Sequence, residues 1–245
     1  LATRYLEGIK ALIDRMATEE MAALDQAAAI MADAIAAGQA IFAFGCTHSS
    51  LPIQDLVYRA GGLMLINPIY GPGIAWLDVP PDSMSCAIER LDGYSNALLV
   101  PHPSTAGDVL ILVSVSGRNA VPVELAQLAQ ERGIRVIGVT SRAYTDAFAS
   151  RHKSGKKMYE FAEVVLDNKA DPGDASLEAE GVPQKFCPVS GVTSTAILQA
   201  LVAATVEALL ERGITPPVFL AANVDGSEEY NARMFAANKH RIFYM

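Results

Sequence analysis

The strongest constraint on this chain is a repeated local pattern: a short apolar run, a polar loop, then a segment of helical periodicity. Its clearest copy is Asp108-Val-Leu-Ile-Leu-Val113, followed by Ser114-Val-Ser-Gly-Arg-Asn119, a helical stretch from Val121 to Arg132, Gly133 and a second run at Val136-Ile-Gly-Val139. Parallel strands need a long crossover, so strand, loop, helix, strand predicts a parallel sheet with helices on both faces.

The pattern extends in both directions. Between Thr3 and Ala37, Leu6, Ile9, Leu12, Ile13, Met16, Leu24, Ile30, Met31 and Ile35 recur near a 3.6-residue period, which predicts one or two long helices ended by Gly38. Ala40 to Phe44 reads as a buried strand that enters the loop Gly45-Cys-Thr-His-Ser-Ser50, with Pro52 suited to the first turn of the next helix. Leu63 to Ile66 and Val164 to Leu166 predict further strands, the second near an edge. Asp167 to Pro188 reads as loop, with a turn at Asp171-Pro-Gly-Asp174. Helices are expected over Val192 to Arg212 and Ser227 to His240. No linker or low-complexity tract divides the chain, which predicts one domain over residues 1–245, with 1–38 as a helical extension and 213–245 as a tail.

Composition narrows the function. With 51% apolar and 19% charged residues the chain can bury a full core, which excludes intrinsic disorder. A net charge of −8 without a Lys/Arg cluster argues against nucleic acid and against an anionic membrane surface as partners. The longest apolar stretches, such as Ala196 to Ala204, are too short to span a bilayer, and Leu1 to Glu20 reads as an acidic amphipathic helix rather than a leader. Cys46, Cys86 and Cys187 form no spaced cluster, so a reducing, cytoplasmic compartment is expected.

Ligands of open α/β sheets bind beyond the carboxyl ends of the strands, and two polar loops lie there. In one, Ser114, Ser116 and Asn119 offer short donors, Gly117 permits close backbone approach, and a helix N-terminus follows; this suits a phosphate. In the other, Gly45, Thr47, Ser49 and Ser50 repeat the arrangement. Either loop alone is explained equally well by Ser and Asn capping a helix, whereas two on one sheet favour a ligand site. There is no G-x-x-x-x-G-K-[ST], dinucleotide fingerprint, G-x-S-x-G elbow or metal-ligand spacing among His48, His102, His152 and His240, so neither cofactor nor metal is expected.

Phe44-Gly-Cys-Thr-His-Ser49, Ser114-Val-Ser-Gly117 ahead of a helix and Gly133-Ile-Arg-Val-Ile-Gly-Val-Thr140 together resemble the sugar isomerase (SIS) domain. Tyr58-Arg-Ala-Gly-Gly62, Ile66-Asn-Pro68, Ser116-Gly-Arg-Asn119 with Pro122-Val-Glu124, Gly173-Asp-Ala175 and Asn223-Val-Asp-Gly226 are similar to a branch of small single-SIS proteins. The resemblance covers nearly the whole chain. It implies a three-layer αβα fold around a five-stranded parallel sheet, and a phosphorylated sugar as ligand. It also implies that Ser49, Ser114, Ser116 and Asn119 cradle the phosphate, and that the chain forms a homodimer or homotetramer. Thr47 stands where the branch usually has Gly, and Ser50, Gln54 and Asp55 where it has a His and two acidic residues. A narrower loop with one fewer carboxylate implies a different substrate or a weakened isomerase.

An aldose–ketose isomerase needs a base and a group that polarises the carbonyl. The candidates are His48 in the first loop, Asp55 one turn into the next helix, Glu124 in the first turns of the helix after Ser116, and His240, since in SIS enzymes a His from a neighbouring subunit can complete the site. Each has a plainer explanation: a cap for His48, a solvated carboxylate for Asp55, and helix-dipole partners for Glu124 and for His240 beside Lys239 and Arg241. Arg118 suits a phosphate or sugar acid, or a surface ion pair. Tyr58 and Trp76 read as packing residues, and Cys46 as a small buried residue or a reactive thiol. The expected activity is enediol proton transfer on a sugar phosphate. The alternatives are a non-catalytic phosphosugar sensor and, less favoured, a sugar-phosphate lyase or etherase. The Ala- and Met-rich opening helices suggest apolar surface left over for an oligomer interface.

Overall fold

The computed structural model describes residues 1–75, 80–81 and 83–245; the packing role expected for Trp76 lies outside the described residues. Two helices open the chain, α1 (Ala2–Glu19) and α2 (Met21–Ala36). They are followed by β1 (Ile41–Gly45), α3 (Ser50–Leu56), β2 (Ile66–Pro68), α4 (Ser83–Ile88), α5 (Tyr94–Leu99) and β3 (Val109–Val113). Next come α6 (Ala120–Glu131), β4 (Arg135–Thr140), α7 (Arg142–Ala147) and β5 (Val164–Asp167). A hairpin of β6 (Ala175–Leu177) and β7 (Phe186–Pro188), the long α8 (Ser190–Glu211) and α9 (Ser227–Asn238) complete it.

The main sheet has five parallel strands in the order β2-β1-β3-β4-β5. Every residue of β1 and β3 is buried, as strands covered on both faces require. Alternate side chains divide between the two faces. Ile41, Ala43, Val109, Ile111 and Val113 pack under α2 and α8, whereas Phe42, Phe44, Leu110 and Leu112 pack under α5 and α6.

This packing accounts for much of the apolar surplus in the opening helices. Ala27, Ala28, Met31 and Ala32 are buried within the chain's own core, so most of what α2 carries is unavailable as an interface. Leu6 and Ile13 on α1 and Met21 remain exposed. The stretch Ala196 to Ala204 belongs to the 22-residue α8, which is long and apolar enough to cross a bilayer by length and composition; Ile197, Leu198, Leu201 and Val202 are in the core.

Two expectations are corrected. The strand predicted at Leu63 to Ile66 begins only at Ile66, and Leu63 instead forms an antiparallel bridge to Val218. Asn67 interrupts the apolar pattern yet is fully buried, because its side chain donates to the carbonyls of Ile41 (3.1 Å) and Arg241 (3.0 Å). The stretch read as loop between Asp167 and Pro188 contains the β6–β7 hairpin, whose three-residue strands are too short to show alternation.

Candidate functional site

At the carboxyl end of β1 the chain reverses sharply. A Cβ on Gly45 would lie 2.1 Å from the Ser49 carbonyl oxygen, so only glycine allows the β1–α3 loop to fold back. Thr47 adopts φ +51, a left-handed conformation rare for a β-branched residue, and is held by its N–H to the Ile74 carbonyl (2.8 Å). A glycine would meet that backbone requirement without strain.

The β3–α6 loop is equally constrained. Gly117 has φ +57, and a Cβ there would lie 2.9 Å from Thr145 Oγ1. Its N–H donates to Ser114 Oγ at 3.2 Å. The segment after α7 lies across this loop: Arg151 N–H donates to the Arg118 carbonyl (2.8 Å) and Met158 N–H to the Gly117 carbonyl (2.9 Å). Arg151 is thereby brought over the loop, and its Nη1 donates to Asn119 Oδ1 at 3.0 Å.

Both helices that follow these loops have a favoured capping residue at the N-cap, Ser49 for α3 and Asn119 for α6, and neither side chain caps its helix. Asp174, by contrast, accepts from Val189 N–H (3.2 Å), Ser190 N–H (2.8 Å) and Ser190 Oγ (2.6 Å), and so satisfies the start of α8 from the β5–β6 connection.

These loops open on a cavity of about 700 Å³, within the usual range for a small-molecule site. Thr47, His48, Ser49, Ser114, Ser116, Arg118 and Asn119 line it, together with Glu89, Arg90, Arg151, Asp174 and Ser190. Arg118 carries its guanidinium 5.2 Å from the Phe148 ring; its Nε is buried without a hydrogen-bond partner, and no ion pair of Arg118 is found among the described residues. Burial chiefly, then the neighbouring Arg151, lowers its pKa.

Glu89 follows the last turn of α4, fixed where its carbonyl accepts from Val121 N–H at 3.0 Å. Burial raises its carboxyl pKa above the ordinary glutamate value, against the opposing pull of a hydrogen bond from Asn119 and the charges of Arg90 and Arg151. Cys46 is fully buried, and its thiol is pushed well up, mainly by burial and secondarily by Glu89, so the reactive thiolate is disfavoured.

Several expected site residues lie elsewhere. Glu124 is buried on α6 and accepts the Gly93 N–H with both oxygens (2.9 and 3.1 Å), which serves the start of α5 instead of the cavity. Asp55 pairs with Arg59 and accepts from Gln199 Nε2 at 3.1 Å. Ser50 is buried, its hydroxyl donating to the Thr47 carbonyl (2.7 Å). His240 belongs to the turn Lys239–Arg241, which is tied to Ile35 and Asn67 near the amino ends of β1 and β2, the end of the sheet opposite the cavity. Gly45 contributes backbone shape and does not line the cavity. Tyr58 is largely exposed, edge-on to Phe219.

Glu89, Arg90 and Arg151 escape sequence reasoning because they sit in short helices and loops without periodicity or a spaced motif. Asp174 did carry a signal, the turn Asp171-Pro-Gly-Asp174.

Comparison with known proteins agrees with this architecture. The SIS domain family model matches residues 4–141. The UPF0309 protein of Streptomyces griseus is 47% identical over 244 residues, covering 100% of this chain and 97% of that protein. Among solved structures, the phosphoheptose isomerase GmhA of Neisseria gonorrhoeae superposes with a TM-score of 0.57 at 18% identity, covering 84% of this chain and 97% of that one. The Vibrio vulnificus NanR protein, complexed with ManNAc-6P, superposes with a TM-score of 0.51 at 15% identity over 96% of this chain and 67% of its own.

Proposed function

Because this chain belongs to the SIS domain family, and within it to the UPF0309 proteins, we propose that its cavity binds a phosphorylated sugar and interconverts the aldose and ketose forms. The observation that carries this reading is the pair of N-cap residues that do not cap. Ser49 and Asn119 begin helices, leave them uncapped, and open instead on a cavity that also holds three arginines.

In this reading the hydroxyls of Thr47, Ser49 and Ser116 hold the phosphate, aided by the α6 N-terminus. Ser114 shapes the loop through Gly117. Glu89 is the general base: its raised pKa brings it nearer neutrality, where proton transfer in both directions is efficient. It removes the proton from C2 of the aldose and returns it to C1 of the enediol. His48, at the cavity wall, moves the second proton between O2 and O1. Bonds and protons then balance with no other reactant.

The experiment is a panel of hexose, heptose and amino-sugar phosphates in deuterated water, read for exchange at the carbon beside the carbonyl. Exchange that disappears in Glu89→Gln supports the isomerase. Binding without exchange across the panel supports the second reading, a phosphosugar sensor, which the likeness in fold to the ManNAc-6P-bound NanR protein makes worth testing. We include a homodimer or homotetramer in this proposal, with the exposed Leu6 and Ile13 of α1 as its contact surface.

A further inference from the structure

The cavity lining divides chemically. Part of it offers neutral donors: the hydroxyls of Thr47, Ser49 and Ser116. Its cationic donors are Arg90 beside the end of α4, Arg118 from the β3–α6 loop and Arg151 from the segment after α7, and Arg118 lies close enough to the other two to feel their charge. We infer that the arginine wall is a second anion subsite, and that the sugar this protein takes carries an anionic group in addition to its phosphate. This rests on the phosphosugar reading above.

Three observations support it. A phosphate held by hydroxyls and a helix terminus does not require three guanidiniums, and like charges gathered on one wall repel each other unless an anion offsets them. The carboxylates at hand compensate poorly: Asp174 is occupied by the start of α8, and burial shifts Glu89 toward its neutral form. The wall is also prearranged. Arg151 is held by its backbone on the Arg118 carbonyl and by its side chain on Asn119, while Arg118 retains a buried Nε with no protein partner. A planar guanidinium suits a carboxylate or a phosphate, which accept two parallel hydrogen bonds. At about 700 Å³ the cavity admits a sugar with substituents at both ends.

The test is calorimetric titration with glucose 6-phosphate, 6-phosphogluconate and fructose 1,6-bisphosphate. At least one doubly anionic probe is expected to bind about tenfold or more tightly than glucose 6-phosphate, as a charged hydrogen-bonded pair allows. A gain confined to 6-phosphogluconate identifies the second group as a carboxylate, and a gain confined to the bisphosphate as a phosphate; either supports the subsite. The preference ratio should fall toward one in Arg118→Gln and, independently, in Arg90→Gln, whose exposed position makes misfolding an inadequate explanation. Ser116→Ala should weaken all three probes alike. Equal binding of the three probes, or arginine variants that weaken glucose 6-phosphate as much as the others, overturns the second subsite and leaves the phosphosugar reading intact. Failure of every phosphate to bind overturns both.

Discussion

Arg151 Nη1 donates to Asn119 Oδ1 at 3.0 Å, which turns the N-cap side chain of α6 away from its own helix. Asn119 also lies close enough to Glu89 to pull its carboxyl pKa down against the effect of burial. A residue type that ordinarily stabilises a helix start is therefore engaged by a cation beside a half-buried carboxyl at the cavity wall.

Glu89→Gln should raise stability at neutral pH while removing turnover. Burial raises the folded-state pKa, so below the unfolded value of about 4.3 both states are protonated and the side chain carries no penalty. As pH rises above that value the unfolded carboxyl ionises first, so the group costs stability increasingly until the folded pKa is passed. The variant should melt about a few degrees higher at pH 7 and show no gain below about pH 4. Its exchange rate should fall about a hundredfold or more, as loss of a general base implies. Thermal scans at both pH values beside the exchange assay decide this; an unchanged rate removes Glu89 from the mechanism.

Glu124→Gln should do the reverse. The Glu124 carboxylate satisfies the Gly93 N–H, and weakening a buried charged hydrogen bond costs about 1.5–3 kcal/mol. Denaturant unfolding should record that loss with kcat/KM within about twofold of the parent. A large fall in kcat with unchanged stability would restore a catalytic role.

Gly45→Ala should damage the β1–α3 loop through shape alone. The added methyl meets the Ser49 carbonyl at 2.1 Å, so the reversal after β1 must open. Overpacking of this kind costs about 1–3 kcal/mol and should abolish phosphosugar binding in calorimetry even where the protein stays folded.

Ser116→Ala should weaken a phosphosugar by about tenfold, while its unphosphorylated sugar is affected less. Competition binding with the matched pair measures the difference. Equal losses would assign Ser116 to the sugar ring.

Lys169→Met should be among the most destabilising single changes. Its ammonium is buried against Glu20, with Glu19 (3.0 Å) and Asp167 (3.2 Å) alongside, and links the α1–α2 junction to the end of β5. Removing one partner of a buried ion pair costs about 3–5 kcal/mol. Burial pulls the Lys169 pKa down, but these carboxylates outweigh it and the net shift is upward. The stability it contributes is thus complete below the unfolded value of about 10.4 and lost as pH rises through the folded one. The gap between parent and variant urea midpoints should be full at pH 7 and narrow as pH rises through the folded pKa of Lys169, which lies above the ordinary lysine value.

Much of the fold is legible from local pattern. The runs at Ile41, Val109 and Val136 predict central parallel strands because a strand covered on both faces must be apolar almost throughout. β2 is less legible, since a buried Asn67 looks polar until Ile41 and Arg241 supply its acceptors from far along the chain. The loops after β1 and β3 are readable for the same reason as the strands: glycines at reversals and hydroxyls ahead of helices are local requirements.

The order of residues alone places Thr47, Ser49, Ser114, Ser116 and Asn119 beyond the sheet's carboxyl edge, because backbone geometry and helix starts follow from neighbours in sequence. It does not distinguish a cap from a ligand donor, nor a cavity carboxylate from one serving another helix. Those distinctions depend on contacts across the chain: Glu89 beside Asn119, Arg151 over Arg118, Glu124 against Gly93. Charge, burial and hydrogen-bond partners act through space, so the chemistry of this site is settled when the loops converge, while its scaffold is written locally.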